Sequence, residues 1–176
     1  MKLVIASDIH GAASWCERLV SAIADIRPDY VALLGDFLYH GPRNDIPADY
    51  DPKRVIELLS SVSPLVVAVR GNCDAEVDQM VLPFPIMADS NLILDGTRRL
   101  FLTHGHVFGP GLHNSVKKMP QLNPGDAMLY GHTHIKVNEV IDGITVFNPG
   151  SVGIPKDGTH SFGVYEGGRF EHRILG

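Results

Sequence analysis

The 176-residue sequence predicts an α/β fold in a single domain spanning residues 1–176. Three observations predict it. Continuous apolar runs without polar alternation recur at KLVIAS (2–7), YVALL (30–34) and LVVAV (65–69). Segments with helical apolar spacing separate them, and beyond residue 100 strand-like runs and tight-turn signals dominate. Continuous apolar strands alternating with amphipathic helices imply parallel pairing, with both faces of the sheet covered.

Each element has its own signal. KLVIAS closes at Asp8. Ser14 and Glu17 have capping-box spacing, and Cys16, Leu19, Val20, Ile23 and Ile26 then recur at helical intervals until Pro28. YVALL runs into Gly35-Asp36. Asp51-Pro52 reads as an N-cap and N1 pair opening a helix through RVIELLSSV, and LVVAV then runs into Gly71-Asn72. The first 72 residues thus read as β-α-β-α-β. The strand-like runs RLFLTHGH and AMLYGHTH follow. KVNEVIDGITVFN reads as a hairpin turning at Asp142-Gly143, and SFGVYEGGRFEHRI as another turning at Gly167-Gly168. Residues 106–125 read as a long surface loop.

Composition narrows the function. A formal charge of −5 with no Lys/Arg cluster excludes an extended nucleic-acid surface or one built for an anionic leaflet. A small anionic substrate is compatible, because a bound metal can outweigh a mildly acidic surface. No segment approaches the roughly 18 apolar residues of a membrane helix, and the N-terminal run is too short for a signal peptide. The expected localisation is cytoplasmic, with no membrane partner. Cys16 and Cys73 could form one disulfide, but nothing else suggests a disulfide-dependent fold, and Cys16 falls on the apolar face of the first helix. The oligomeric state is left open, a homo-oligomer included.

The chemistry collects where strands end. Asp8 and His10 follow the first strand, Asp36 the second and Asn72 the third; His104 and His106 follow RLFLT, and His132 and His134 follow AMLYG. In a parallel sheet the carboxyl ends share one edge, so these residues can converge in one crevice. Side chains at i and i+2 on extended backbone point the same way, so Asp8/His10 and His132/His134 could each present two ligands to one point. The glycines before Asp36, Asn72 and His132 permit tight turns and close approach. An oxygen and imidazole set with no required thiolate suits Mn²⁺, Fe, Zn²⁺ or Mg²⁺. Taken singly, Asp8, Asp36 and Asn72 could be turn or cap residues and the histidines hydrogen-bonded core residues.

DIH, GD, GNCD, THGH and GHTH, in this order and each after an apolar run, resemble the five-part signature of the calcineurin-like metallophosphoesterases. FNPGSV (147–152) extends the likeness, and LGDFLYHGPRN and VRGNCDAEVDQM resemble the bacterial YfcE-type phosphodiesterases within that superfamily. The resemblance implies a four-layer α-β-β-α sandwich with mixed sheets. It also implies hydrolysis of a small phosphodiester by water activated at a dinuclear centre. Asp8, His10 and His134 would hold one ion and Asn72, His104 and His132 the other, with Asp36 bridging. All seven would count as catalytic and metal-binding. Manganese is the first expectation, with zinc, iron, nickel and magnesium as alternatives. A phosphomonoesterase or nuclease would use the same site, and relatives of the retromer-subunit type imply a protein-interaction scaffold instead.

Further residues are candidates for substrate contact or for supporting the ligands: His40, Arg43 and Asn44 in YHGPRN, His106, Cys73 and Asp74. Asp74 could equally cap the helix of AEVDQM. His113, His160 and His172 lie outside the blocks and read as surface residues. Cys73 stands where much of the superfamily has a histidine able to protonate the leaving oxygen. A packed thiol, a substitute proton donor and a nucleophile are the three readings; the first implies a site lacking the usual general acid.

Overall fold

The computed structural model describes residues 1–176 as two five-stranded mixed sheets packed face to face, with helices beside the first. The elements are β1 (Lys2–Ala6), α1 (Ala13–Ile26), β2 (Tyr30–Leu33), α2 (Pro52–Ser61), β3 (Val66–Ala68), α3 (Glu76–Gln79), β4 (Ser90–Asp95), β5 (Arg98–Thr103), β6 (Gly109–Pro110), β7 (Lys117–Lys118), β8 (Ala127–Leu129), β9 (Val137–Ile141), β10 (Ile144–Asn148), β11 (Ser161–Glu166) and β12 (Arg169–Ile174). The first sheet has the order β12-β11-β1-β2-β3 and the second β4-β5-β8-β10-β9.

Each sheet has a parallel centre of three strands with antiparallel company: β1, β2 and β3 in the first, β5, β8 and β10 in the second. The continuous apolar runs are explained by two-sided burial. Leu3 and Ile5 of β1 enter the core between the sheets, where they meet Leu100, Leu102, Leu129 and Phe147. Val4 and Ala6 point the other way, into the core under Cys16, Leu19 and Ile23 of α1 and Val55 and Leu59 of α2. Burying each of the Leu, Ile and Val side chains among these contributes about 1.5–3 kcal/mol. The outer face of the second sheet is covered by the connection from 104 to 125, whose Phe108, Leu112 and Leu122 pack on Met128, Tyr130 and Val146. The fourth layer is therefore this segment, pinned by the β6–β7 ribbon, and not a helix.

Several local signals held, and one did not. Asp51 caps α2 by accepting from the Arg54 N–H at 3.1 Å, with Pro52 at the first helical position. Both hairpin turns form as read, with positive φ at Asp142 and Gly143 and at Gly167 and Gly168. The Ser14/Glu17 capping box does not form. Ala12 is the N-cap, and the Ser14 N–H donates at 2.8 Å to Asp49, 35 residues away, which also accepts from the Ser14 hydroxyl. Strand β4 has almost no sequence signal, since only Ile93 of its six residues is buried. Cys16 lies in the core and both cysteines are free, so no disulfide links them.

Candidate metal centre

The carboxyl ends of the two parallel centres meet along one edge. From the first sheet, β1 delivers Asp8 and His10, β2 delivers Asp36 and β3 delivers Asn72; from the second, β5 delivers His104 and β8 delivers His132 and His134. Five of the nine non-glycine residues with positive φ are Asp8, His10, Asp36, His132 and His134. A left-handed residue without glycine's freedom costs about 1 kcal/mol or more, and such strain concentrates at functional sites. It also corrects the extended-backbone argument for the i, i+2 pairs. Asp8/His10 and His132/His134 are brought round by left-handed residues on either side of Ile9 and Thr133, not by a flat strand.

Asp8, His10, Asp36, His104 and His134 are buried, whereas His132 is half-buried and Asn72 exposed. The Nδ1 atoms of three histidines are pinned to backbone carbonyls: His10 to Tyr39 at 2.7 Å, His104 to Leu34 at 2.6 Å and His134 to Ile154 at 2.6 Å. That fixes the tautomer and turns each Nε2 inward. The three Nε2 atoms surround Asp8 Oδ1, a buried oxygen without a hydrogen-bond partner, with His134 at 3.3 Å, His10 at 3.7 Å and His104 at 3.9 Å. Asp36 Oδ2 lies 3.5 Å from His10 Nε2 and 3.3 Å from His104 Nε2.

The donors fit cations. Ligands about 2.1 Å from a common ion stand about 3.0–3.4 Å apart, and His10 Nε2 lies 3.4 Å from His134 Nε2. Asn72 Oδ1 lies 3.1 Å from His104 Nε2, so the amide oxygen and the imidazole face the same point. Asp8, His10 and His134 form one compact donor group, Asp8, Asp36 and His104 a second, and His10, Asp36 and Cys73 a third, so Asp8, His10 and Asp36 each border two of them. His132 belongs to none; its ring lies 5.2 Å from that of His104 and it faces the cleft.

Charge is balanced by protons in the metal-free protein. Burial works against ionising Asp8, but His134, His10 and His104 outweigh it and hold the carboxyl well below the usual carboxylate range. Burial likewise opposes the charge of Asp36, which His104 draws down to about 2. Burial disfavours a charged His104, yet Asp36 and Asp8 raise it to about 10, and both its ring nitrogens have acceptors. Burial and the positive His104 push His132 down to about 4.

The glycines and the flanking motifs hold these residues in place. A Cβ on Gly71 would collide with Asp36, and one on Gly131 with Ser7 and Asp8. Asp74 does not cap α3, whose N-cap is Ala75, with Asp78 accepting the Ala75 N–H. Its carboxylate accepts instead from the N–H groups of Asp36, Phe37 and Gly71 at 2.7–2.9 Å. FNPGSV is a clamp. Asn148 Nδ2 donates to Gly131 O and Thr133 Oγ1, and the Ser151 hydroxyl donates to Asp8 O at 2.7 Å.

A cleft of about 740 Å³ opens over the centre. Arg43, Asn44 and Cys73 line it, as do Asn72, His132 and His134. His40 and His106 do not. His40 packs edge-on against Tyr39 and Tyr50, and half-buried His106 lies against His104, with ring centroids 5.3 Å apart. His113 and Lys156 also line the cleft, although no strand end or motif marks them in the sequence. The surface reading fails for His160, stacked on Trp15 at 3.5 Å, and for His172, stacked on Phe147 at 4.7 Å; each also bonds a backbone carbonyl.

The chain is similar to known proteins in sequence and in fold. Phosphodiesterase YfcE of Escherichia coli K12 is 51% identical over 158 residues, covering 90% of this chain and 83% of that protein. The solved structure of YfcE, a phosphoesterase from E. coli, superposes with a TM-score of 0.90 at 44% identity, covering 100% of both chains. Vps29 of Chaetomium thermophilum has a TM-score of 0.64 at 14% identity, over 98% of this chain and 95% of that one, a likeness of fold alone. The model of the calcineurin-like phosphoesterase superfamily domain matches residues 1–167. With the ordered strand-end donors and the two-sheet fold, this match shows that the chain belongs to the calcineurin-like phosphoesterase superfamily.

Proposed function

We propose that the protein is a metal-dependent phosphodiesterase that hydrolyses small phosphodiesters at a dinuclear centre. Asp8, His10 and His134 are assigned to one ion, Asn72, His104 and His132 to the other, and Asp36 to both. The observation that carries this reading is the inward convergence of three backbone-pinned imidazoles on the unpartnered Asp8 Oδ1. The likeness to phosphodiesterase YfcE supports the substrate class. Oxygen and nitrogen donors suit manganese first, with zinc, iron, nickel or magnesium as alternatives.

When bound, two divalent cations make water nucleophilic near neutral pH and stabilise the oxygens of an in-line displacement at phosphorus. The chain's own residues prepare the place. Asp36 directs Oδ2 at two imidazoles while its Oδ1 accepts from the Cys73 N–H at 2.8 Å. His132, half-buried at the cleft and drawn down to about 4, stays neutral at pH 7 and keeps a lone pair to offer. Arg43 and Asn44 stand on the cleft wall to contact the substrate's non-reacting oxygens.

Metal-stripped protein should be reloaded with Mn²⁺, Mg²⁺, Zn²⁺ or Ni²⁺ and assayed on diesters, monoesters, cyclic nucleotides and DNA. Diesters should be cleaved best. Asp36→Asn and His132→Ala should each lower turnover more than roughly 100-fold while circular dichroism stays native. Near-normal turnover in either folded variant would refute the ligand assignment. The scaffold alternative has the fold of Vps29 in its favour. The complete donor set, which a scaffold has no need to keep, favours the enzyme.

A further inference from the structure

The cleft is larger than the reaction needs. At about 30 Å³ per water-sized body, its roughly 740 Å³ would take a bare dialkyl phosphate several times over. Besides the candidate metal ligands its walls carry two exposed cations, Arg43 and Lys156, from segments far apart in the sequence.

The backbone that carries each is anchored, and neither side chain has a carboxylate partner. Lys156 is anchored by its own N–H, which donates to His134 O at 3.0 Å. The adjacent Asp157 is already taken, pairing with Lys136 Nζ at 2.7 Å and accepting the Lys136 N–H. Arg43 rides on a turn closed by Asn44, whose Nδ2 donates to His40 O at 2.8 Å. The acids of the same cleft are committed elsewhere, Asp74 to three backbone N–H groups and Asp36 to the histidines. In a chain of net charge −5, two unpaired cations facing one cleft select for negative charge.

We propose that Arg43 and Lys156 form an anion subsite, and that the substrate is a phosphodiester whose non-reacting arm carries a second anionic group, a phosphate or a carboxylate. This rests on the phosphodiesterase reading and names its substrate class. A guanidinium grips two oxygens of such a group in a plane, and an ammonium adds a movable point charge.

The test uses 4-nitrophenyl phosphodiesters of matched arm length, ending in phosphate, carboxylate or a neutral hydroxyl, on the metal-loaded protein. Wild type should favour the anionic arms by roughly tenfold in kcat/KM, as expected for two solvent-open charge pairs acting together. In an Arg43→Ala/Lys156→Ala protein that ratio should fall to about one. Equal use of all three arms by wild type would overturn the subsite while leaving the phosphodiesterase intact. Failure to cleave even the neutral diester would overturn the enzyme reading itself. As a readout independent of turnover, inorganic pyrophosphate is titrated calorimetrically into metal-free protein. Binding that the double variant weakens about fivefold or more supports the subsite, and binding that is absent or unchanged overturns it.

Discussion

Asp74 sits beneath Asp36, its Oδ2 accepting the Asp36 backbone N–H at 2.8 Å. With the Phe37 and Gly71 N–H groups also bonded to it, one buried carboxylate sets the turn that aims the proposed bridging ligand. Burial, and next the charge of Asp36, raise Asp74 to about 6, so this arrangement is itself under electrostatic load.

Asp74→Asn should therefore loosen the site without unfolding it. The amide keeps one acceptor oxygen but turns an NH₂ toward backbone donors. Metal affinity should fall about 10- to 100-fold, the usual effect of losing a group that orients a ligand. A competitive chelator titration measures it, and unchanged affinity would show that Asp74 is only structural.

The histidines predict how metal binding depends on pH. Because Asp36 and Asp8 raise His104 to about 10 against the effect of burial, the metal-free protein carries a proton on that ring at pH 7. A cation needs the neutral imidazole, so loading must release a proton and apparent affinity must rise with pH. Calorimetry in buffers of different ionisation enthalpy should find protons released per protein. Binding with no proton exchange would mean that His104 is not a ligand.

Cys73 should prove dispensable to attack at phosphorus. Burial, and next Asp36, push its thiol up, which keeps it protonated in the metal-free protein, and Asn72 Nδ2 donates to its sulfur at 3.2 Å. Cys73→Ser should retain activity, and native metal-free protein should react slowly with iodoacetamide at neutral pH. Loss of turnover in the serine variant with metals still bound would restore the thiol as acid or nucleophile.

The same position should set leaving-group preference. With no imidazole there, wild type should cleave aryl diesters readily and alkyl monoesters poorly. Cys73→His should raise alkyl monoester turnover through a new proton donor, by up to roughly 10²-fold, the lower end of general-acid effects. The check is kcat/KM for matched aryl and alkyl mono- and diesters, and a profile identical in both proteins would show that residue 73 does not govern the chemistry.

Much of this site was legible because its donors follow strands, and strands announce themselves. Asp8, Asp36, Asn72, His104 and His132 each close an apolar run, and parallel pairing carries them to one edge. What lay hidden depended on contacts distant in sequence. Asp49 reaches Ser14 across 35 residues and removes the expected capping box. The left-handed backbone at His10 and His134 has only a weak residue-type signal, since histidine enters that region more often than most residues but is found mainly elsewhere. His113 and Lys156 lie in loops whose local sequence has no periodicity, and only the closing of the cleft gives them a place beside the site. Asp74 stood equally well as a cap or a support until its bonds to the Asp36, Phe37 and Gly71 N–H groups committed it to support.

The most direct measurement is the metal content and position in protein reconstituted with Mn²⁺ or Zn²⁺, by elemental analysis joined to anomalous scattering from crystals. Two ions per chain are predicted, about 3.5–4 Å apart, with one oxygen or both of Asp36 shared between them, Asp8, His10 and His134 on one side and Asn72, His104 and His132 on the other. A single ion, or two ions that do not share Asp36, would contradict the dinuclear account.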